Sequence, residues 1–281
     1  GMLAGDLGDE ITTAAVAGGT NWARAGLLAL AAGLVLGAAG WFIGQGMQEA
    51  PVERGLRRFP LAMVGEGEPN RNDPKVTTAG DRVVYEKGGE LWVHDLDQLE
   101  PRRVEGVDDA EAPFWSPDGT EVGFFQGSKM WRVPVDGGAK KLVCDVGREV
   151  NGGRGAYWSA DGLITFSLGD SGILTAPAVG GDAREIIAVN DSTEGDLHEP
   201  YVMPDGGLMF VVHPQGGPPG RLVIERNGER QVLLDYSDRR IWHPQYDGKG
   251  HIVFERDGTS QGIWALPYDA ETGEVGGEPV L

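Results

Sequence analysis

The chain has 281 residues, 40% of them hydrophobic, with a formal charge of −19, 46 glycines and 17 prolines. That length carries one large all-β domain or two smaller ones around a sizeable core, and the dense Gly/Pro punctuation suits many short strands joined by turns. A surface this acidic repels phosphate backbones, which argues against nucleic acid as a partner; the single cysteine, Cys144, leaves neither an internal disulfide nor a cysteine metal cluster and reads as a buried core thiol.

Residues 1–24 read as an N-terminal tail. Ala25 to Gly44 then gives twenty residues without a charge. At 1.5 Å rise per residue they match a hydrocarbon core of about 30 Å, and Trp22 and Trp41 flank them as interfacial aromatics do. A cleaved signal peptide is the alternative; its start should be basic, yet residues 1–23 hold no Lys or Arg. The span is therefore expected to lie in a lipid bilayer. Gly33, Gly37, Gly40 and Gly44 share one face of this expected helix, and small residues there permit close approach of a second copy, hence a homodimer through the membrane. Arg24 precedes the span while Arg54, Arg57 and Arg58 follow it, so the local basic count alone would place the C-terminal side in the cytoplasm.

Residues 45–75 read as a linker, with a lone strand expected over 58–64. From residue 76 onward the chain repeats itself. The units begin at Gly80, Ala112, Gly155, Glu199 and His243, and their aligned turn glycines are Gly80, Gly119, Gly162, Gly206 and Gly250, spaced by 39, 43, 44 and 44 residues. Each unit divides into four short strands. In the second these are Ala112–Trp115, Glu121–Phe125, Lys129–Val135 and Lys140–Val146, separated by Ser116-Pro117-Asp118-Gly119, Gln126-Gly127 and Asp136-Gly137-Gly138. Four-stranded units at this period predict an all-β propeller, with a solenoid or paired sandwich as the alternative. Trp115, Trp158 and Tyr246 share one place in successive units, and Trp92, Trp131 and Trp264 share another; both sets are expected in the core between sheets.

These residues carry a resemblance. WSPDG at Trp115–Gly119, WSADG at Trp158–Gly162 and MPDG at Met203–Gly206 resemble the repeats of TolB-like six-bladed propellers. The ordered set KMWRVPVDGGAKKLVCDV, GGRGAYWSADGLITF, EPYVMPDGGLMFVV and GIWALPYDAETGEVGGEPV, after a span and RRFPLAMV, resembles the C-terminal extracytoplasmic region of bacterial membrane-anchored serine/threonine protein kinases. The resemblance implies a single-pass protein of the bacterial inner membrane with its propeller outside the cytoplasm, against the local arginine count. It also implies six blades, of which about five are visible over 76–281. The strand at 58–64 would close the ring, and the chain stops at Leu281 where a last strand is expected to begin.

The 24 residues before the span hold no Gly-rich loop, HRD or DFG, so this chain is expected to be non-catalytic even if the intact protein is a kinase. Gly258 to Gly262 fits GxSxG but falls between two β-runs, which makes it a hairpin loop. The histidines His94, His198, His213, His243 and His251 show no ligand spacing, so no metal or cofactor is expected. One constellation remains. The loop before each first strand opens at one end of a propeller's channel, and alignment puts Glu111, Arg154, His198 and Trp242 there, with Glu199 and His243 beside them. Mixed charge with an aromatic at a channel mouth predicts a surface for a protein, peptide or small-molecule ligand, the alternative being variable loop surface. The expected role is an anchored sensor or interaction module; a stand-alone envelope scaffold, or a non-catalytic fragment of a kinase or prolyl-oligopeptidase-like enzyme, are the alternatives.

Overall fold

The computed structural model describes residues 74–150, 155–169, 171–217, 220–257 and 261–281. The expected span at 25–44 with Gly33, Gly37, Gly40 and Gly44, the closing strand at 58–64, and Arg154 lie outside the described residues. Among the described residues no helix is long and apolar enough to cross a membrane.

Five four-stranded sheets follow one another, each an antiparallel meander whose strands pair in chain order. Blade 1 comprises β1 (Lys75–Val76), β2 (Arg82–Lys87), β3 (Glu90–Asp95) and β4 (Arg102–Arg103). Blade 2 comprises β5 (Glu111–Trp115), β6 (Glu121–Gln126), β7 (Lys129–Pro134) and β8 (Lys141–Asp145). Blade 3 holds β9 (Ala156–Trp158), β10 (Leu163–Ser167), β11 (Ile173–Pro177) and β12 (Arg184–Ile187). Blade 4 holds β13 (Glu194–Val202), β14 (Leu208–Pro214), β15 (Arg221–Arg226) and β16 (Glu229–Asp235). Blade 5 holds β17 (Ile241–Tyr246), β18 (His251–Arg256), β19 (Gly262–Asp269) and β20 (Glu274–Val275). The strands of blade 2 fall within a residue of the expected ones. The outer strand of blade 5 forms before Leu281 rather than beginning there: β20 pairs with β19, and Val280 bridges back to Ala265.

The turn between the first two strands explains the glycine spacing. Gly80, Gly119, Gly162, Gly206 and Gly250 all have positive φ, between 67° and 101°, a region that side-chain-bearing residues avoid. Aspartate completes the turn. Asp118 accepts from the Ser116 hydroxyl and from the Thr120 amide; Asp161 accepts from Ser159 and the Leu163 amide. Asp205 and Asp247 take the amides of Gly207 and Lys249.

Alternation along the strands sends successive apolar residues to opposite faces, and each face packs against the next blade. Val84, Leu91 and Val93 of blade 1 cluster with Trp115, Val122 and Phe124 of blade 2. Phe125, the next residue, turns the other way and joins Phe114, Met130 and Cys144 against Ile164 and Phe166 of blade 3. Ile173 and Ile187 meet Leu197 and Phe210 of blade 4; Met209, Leu222 and Ile224 meet Ile252, Phe254 and Leu266 of blade 5. Cys144 is buried, and desolvation first, then the Asp145 charge, pushes its thiol up to about 11, so it acts as a small apolar residue.

The two tryptophan sets part company. Trp115 and Trp158 are buried between blades as expected, while Tyr246 is half-buried against the core shared by blades 4 and 5; the Trp115 indole N–H donates to the Lys75 carbonyl of blade 1 at 2.7 Å. Trp92, Trp131 and Trp264 are only half-buried. They lie further out, in the third strand, and each carries a cation on its ring: Lys87 over Trp92 at 5.9 Å, Lys140 over Trp131 at 4.8 Å and Arg256 over Trp264 at 3.3 Å. The ring quadrupole makes such an open face a cation seat.

Candidate functional site

The innermost strands share a distortion that positions the centre. Between Glu111 and Phe114, between His198 and Tyr201, and between Trp242 and Gln245 the ladder slips by one residue. Each slip is a β-bulge, and its extra residue is in the left-handed region: Ala112 at φ 47°, Glu199 at 56° and His243 at 51°. Gly155 fills the same place in blade 3 at φ 89°. Such a conformation costs a residue with a side chain on the order of 1–2 kcal/mol, so repetition in three blades without glycine marks a conformation that the surrounding sheets impose. A bulge re-aims side chains.

In blades 4 and 5 it aims Glu199 and His243 at each other. The Glu199 Oε2 lies 3.2 Å from His243 Nδ1, which in turn is 3.0 Å from the Lys75 Nζ of blade 1. A Cβ on Gly155 would stand 2.8 Å from the same carboxylate oxygen, so blade 3 closes in from the other side. Residues of four blades thus meet around one carboxylate. Burial alone would push the Glu199 carboxyl up, but the His243 imidazole and the Lys75 ammonium outweigh it and hold the group well below the usual carboxylate range. The Tyr157 and Tyr201 rings meet at a tilt of 51° with centroids 4.6 Å apart, and the Tyr201 hydroxyl donates to the Tyr246 carbonyl at 3.2 Å. Phe114, Tyr157 and Tyr201 hold one register position in blades 2, 3 and 4.

A second group lies nearer the strand ends. Asp196 and His198 are two residues apart on β13 and so share a face, and Asp196 pairs directly with His213 on β14. The His198 and His213 Nε2 atoms are 3.2 Å apart, and His213 Nδ1 is 3.0 Å from Asp196 Oδ1. Trp242 of blade 5 covers both rings, at 5.6 Å from His198 and 6.4 Å from His213, and Arg240 lies over the Trp242 ring at 5.9 Å. Gly195, Asp196, His213, Pro214, Gly216, Gly217, Arg240 and Trp242 line a cleft of about 300 Å³ between blades 4 and 5. It opens where β13 and β17 begin.

Of the expected residues, His198 meets Trp242 and Glu199 meets His243. Glu111 holds the equivalent register position on β5, opposite Phe125, in a different blade from both pairs. Spacing alone missed His213, Asp196, Arg240 and Lys75. The alternation Asp196-x-His198 on a strand was a usable signal; the pairing that adds His213 was not visible. The remaining histidines stand apart: His94 Nε2 is 3.0 Å from the Gln98 carbonyl, and His251 Nδ1 is 3.2 Å from Asp247.

No protein-family model matches the chain, and no curated protein matches it either. Solved structures do. A protein described as a TolB of Agrobacterium tumefaciens aligns at TM-score 0.53 with 18% identity, over 73% of this chain and 78% of that one. The Cps50 (Swd1) β-propeller domain of Myceliophteria thermophila aligns at 0.52 with 13% identity, over 73% and 70%. Hydrazine synthase of Kuenenia stuttgartiensis aligns at 0.51 with 13% identity, over 75% and 68%. At these identities the likeness concerns the fold alone, which hosts catalysts and non-catalysts alike. Repeated four-stranded meanders, aspartate-glycine turns and cores shared between consecutive sheets make this chain a β-propeller, similar in fold to TolB propellers, with five blades among the described residues.

Proposed function

We propose that the chain is a binding module and not itself a catalyst. Its propeller is tethered to the bacterial inner membrane through residues 25–44, stands outside the cytoplasm, and takes a protein, peptide or small-molecule ligand at the mouth between blades 4 and 5. The reading follows the resemblance to the sensor region of membrane-anchored serine/threonine kinases. The observation that supports it is the cleft where Trp242, Arg240, His213 and Asp196 converge. About 300 Å³ is at the small end for a ligand pocket and suits one inserted side chain or a small polar molecule. An aromatic and an arginine at its rim are the residue types that dominate binding energy when a partner covers them. The chain's charge of −19 favours a cationic partner.

Panning a random peptide library on the full chain tests this. Bound peptides should be basic, and Trp242→Ala or Arg240→Ala should weaken them about tenfold or more, whereas Glu111→Ala should not. Peptides that bind all variants alike would remove the cleft from the account. Tag labelling at residue 281 in intact cells tests the tether and its orientation; labelling only after lysis would reverse the assigned side.

A further inference from the structure

We propose that Asp196, His198 and His213 form a binding site for one divalent transition-metal ion, of the zinc class, at the floor of the cleft between blades 4 and 5. The site stands whether or not the cleft also takes a peptide.

The ladder builds the donor set. Asp196 and His198 leave β13 on the same face, and His213 rises opposite Asp196 on β14. Two imidazoles and a carboxylate therefore converge without any loop having to close, and the potential ligand atoms of the three residues all lie within 4.8 Å of one another. Two nitrogens bound about 2.0–2.1 Å from one tetrahedral ion stand roughly 3.3 Å apart. The Nε2 atoms of His198 and His213 stand 3.2 Å apart, so modest tilts of the two rings would bring both lone pairs onto a shared ion. Asp196 Oδ1 is 4.0 Å from His198 Nε2 and 3.0 Å from His213 Nδ1. It can join the ion directly, or stay on His213 Nδ1, fix that ring's tautomer and raise the basicity of Nε2, as carboxylates behind metal-bound histidines do.

The surroundings fit a metal of this type. His198 is fully buried, Asp196 and His213 are largely so, and the Trp242 ring lies against both imidazoles, which limits water. Nitrogen donors select zinc-like ions over calcium or magnesium, which demand oxygen ligands. Three protein ligands leave a fourth position, and the cleft beside Gly195, Gly216 and Gly217 is the space into which it would point. A carboxylate or imidazole of an incoming ligand could complete the coordination there. The strongly negative chain lowers the cost of bringing in a dication.

The test uses the tag-free full chain, stripped with chelator and dialysed against Zn²⁺, with bound metal counted by elemental analysis and affinity read by competition with a chromophoric chelator. One equivalent of Zn²⁺ per chain is expected. His213→Gln should weaken binding by more than about a hundredfold, and Asp196→Asn by about 10–100-fold. Both side chains are partly accessible, and unchanged circular dichroism would show that each variant folds. His94→Gln and His251→Gln should leave binding as it was. Co²⁺ substitution should give visible absorption of a tetrahedral site, absent in His213→Gln. The proposal fails if the wild type binds no Zn²⁺, if both cleft variants bind as tightly as wild type, if His251→Gln alone abolishes binding, or if Ca²⁺ or Mg²⁺ binds equally well. Zn²⁺ bound in one equivalent with no cleft-dependent peptide would end only the peptide reading; the reverse would end only this one.

Discussion

At the residue scale, Glu199 is a buried charge held by two basic partners. It is buried, sits in a left-handed conformation, and is held between His243, Lys75 and the bare backbone of Gly155. Glu199→Gln keeps the shape and removes the charge, leaving two basic groups facing each other. Removing one partner of a buried pair costs about 3–5 kcal/mol; since His243 and Lys75 keep some access to water, about 2 kcal/mol is expected here at neutral pH, read by urea denaturation. The pH dependence follows from the direction of the shift. The folded carboxyl is held below its ordinary 4.5, so its stabilisation is fully present above pH 4.5 and is lost as pH falls below it. The gap between wild type and Glu199→Gln should therefore narrow in acid. A gap that is constant with pH would mean that shape, not charge, holds the centre together.

At the element scale, the inner strands are bent by bulges, and in blade 2 the second strand makes room for an inner-strand ring with a glycine. Gly123 on β6 pairs directly with Phe114 on β5, and a Cβ at Gly123 would fall 2.2 Å from two atoms of the Phe114 ring. That ring also packs on Phe125 and Trp158, at 6.4 and 6.5 Å between centroids, so it has little room to retreat. Gly123→Ala should lower stability by about 1–3 kcal/mol through overpacking. In a double-mutant cycle, Phe114→Leu should cost less in the Gly123→Ala background than alone. Additive effects would show that the ring does not fill the glycine's place. The four-strand units and their turns were legible in the sequence because each turn is a local event, decided by Asp-Gly chemistry within a few residues. The bulges were not: a run such as HEPYV reads as plain strand, and only pairing with β14 reveals the extra residue. The third-strand tryptophans were placed too deep for a related reason: Trp131 and Trp264 pack against the shared cores but stay half-exposed. Alternation shows which side of a sheet a ring takes, but not how far from the centre its blade leaves it uncovered.

At the scale of the whole molecule, blades 2 to 5 repeat one acid-sensitive device. Asp118 and Asp161 are held below the ordinary 3.8, each chiefly by a serine hydroxyl and then by a backbone amide. Asp205 and Asp247 are pushed up by burial, yet amide hydrogen bonds and, for Asp205, Arg226 bring them below that value too. All four contribute stability above pH 3.8 that is lost as pH falls through the lowered values. Wild type should lose stability in this range, and Asp118→Asn with Asp161→Asn should flatten the slope; equal slopes in acid titrations followed by circular dichroism would place the sensitivity elsewhere. Half of the candidate site was legible at this scale. Aligning the repeats put His198 with Trp242 and Glu199 with His243, because equivalent positions of a propeller face the same mouth. His213 and Asp196 escaped, since their role depends on which residue stands opposite which across a ladder.

The chain's own order determined the period, the turn positions, the strand count per unit and the apolar faces that must be covered, because all of these follow from interactions within a few residues. Only the tertiary structure decided that Asp196, His198 and His213 share a corner, and that Glu199 is ringed by His243, Lys75 and Gly155. Those meetings join residues 15 to 168 positions apart, and no local preference encodes a distance closed by strand pairing within blade 4 or by packing one blade against another.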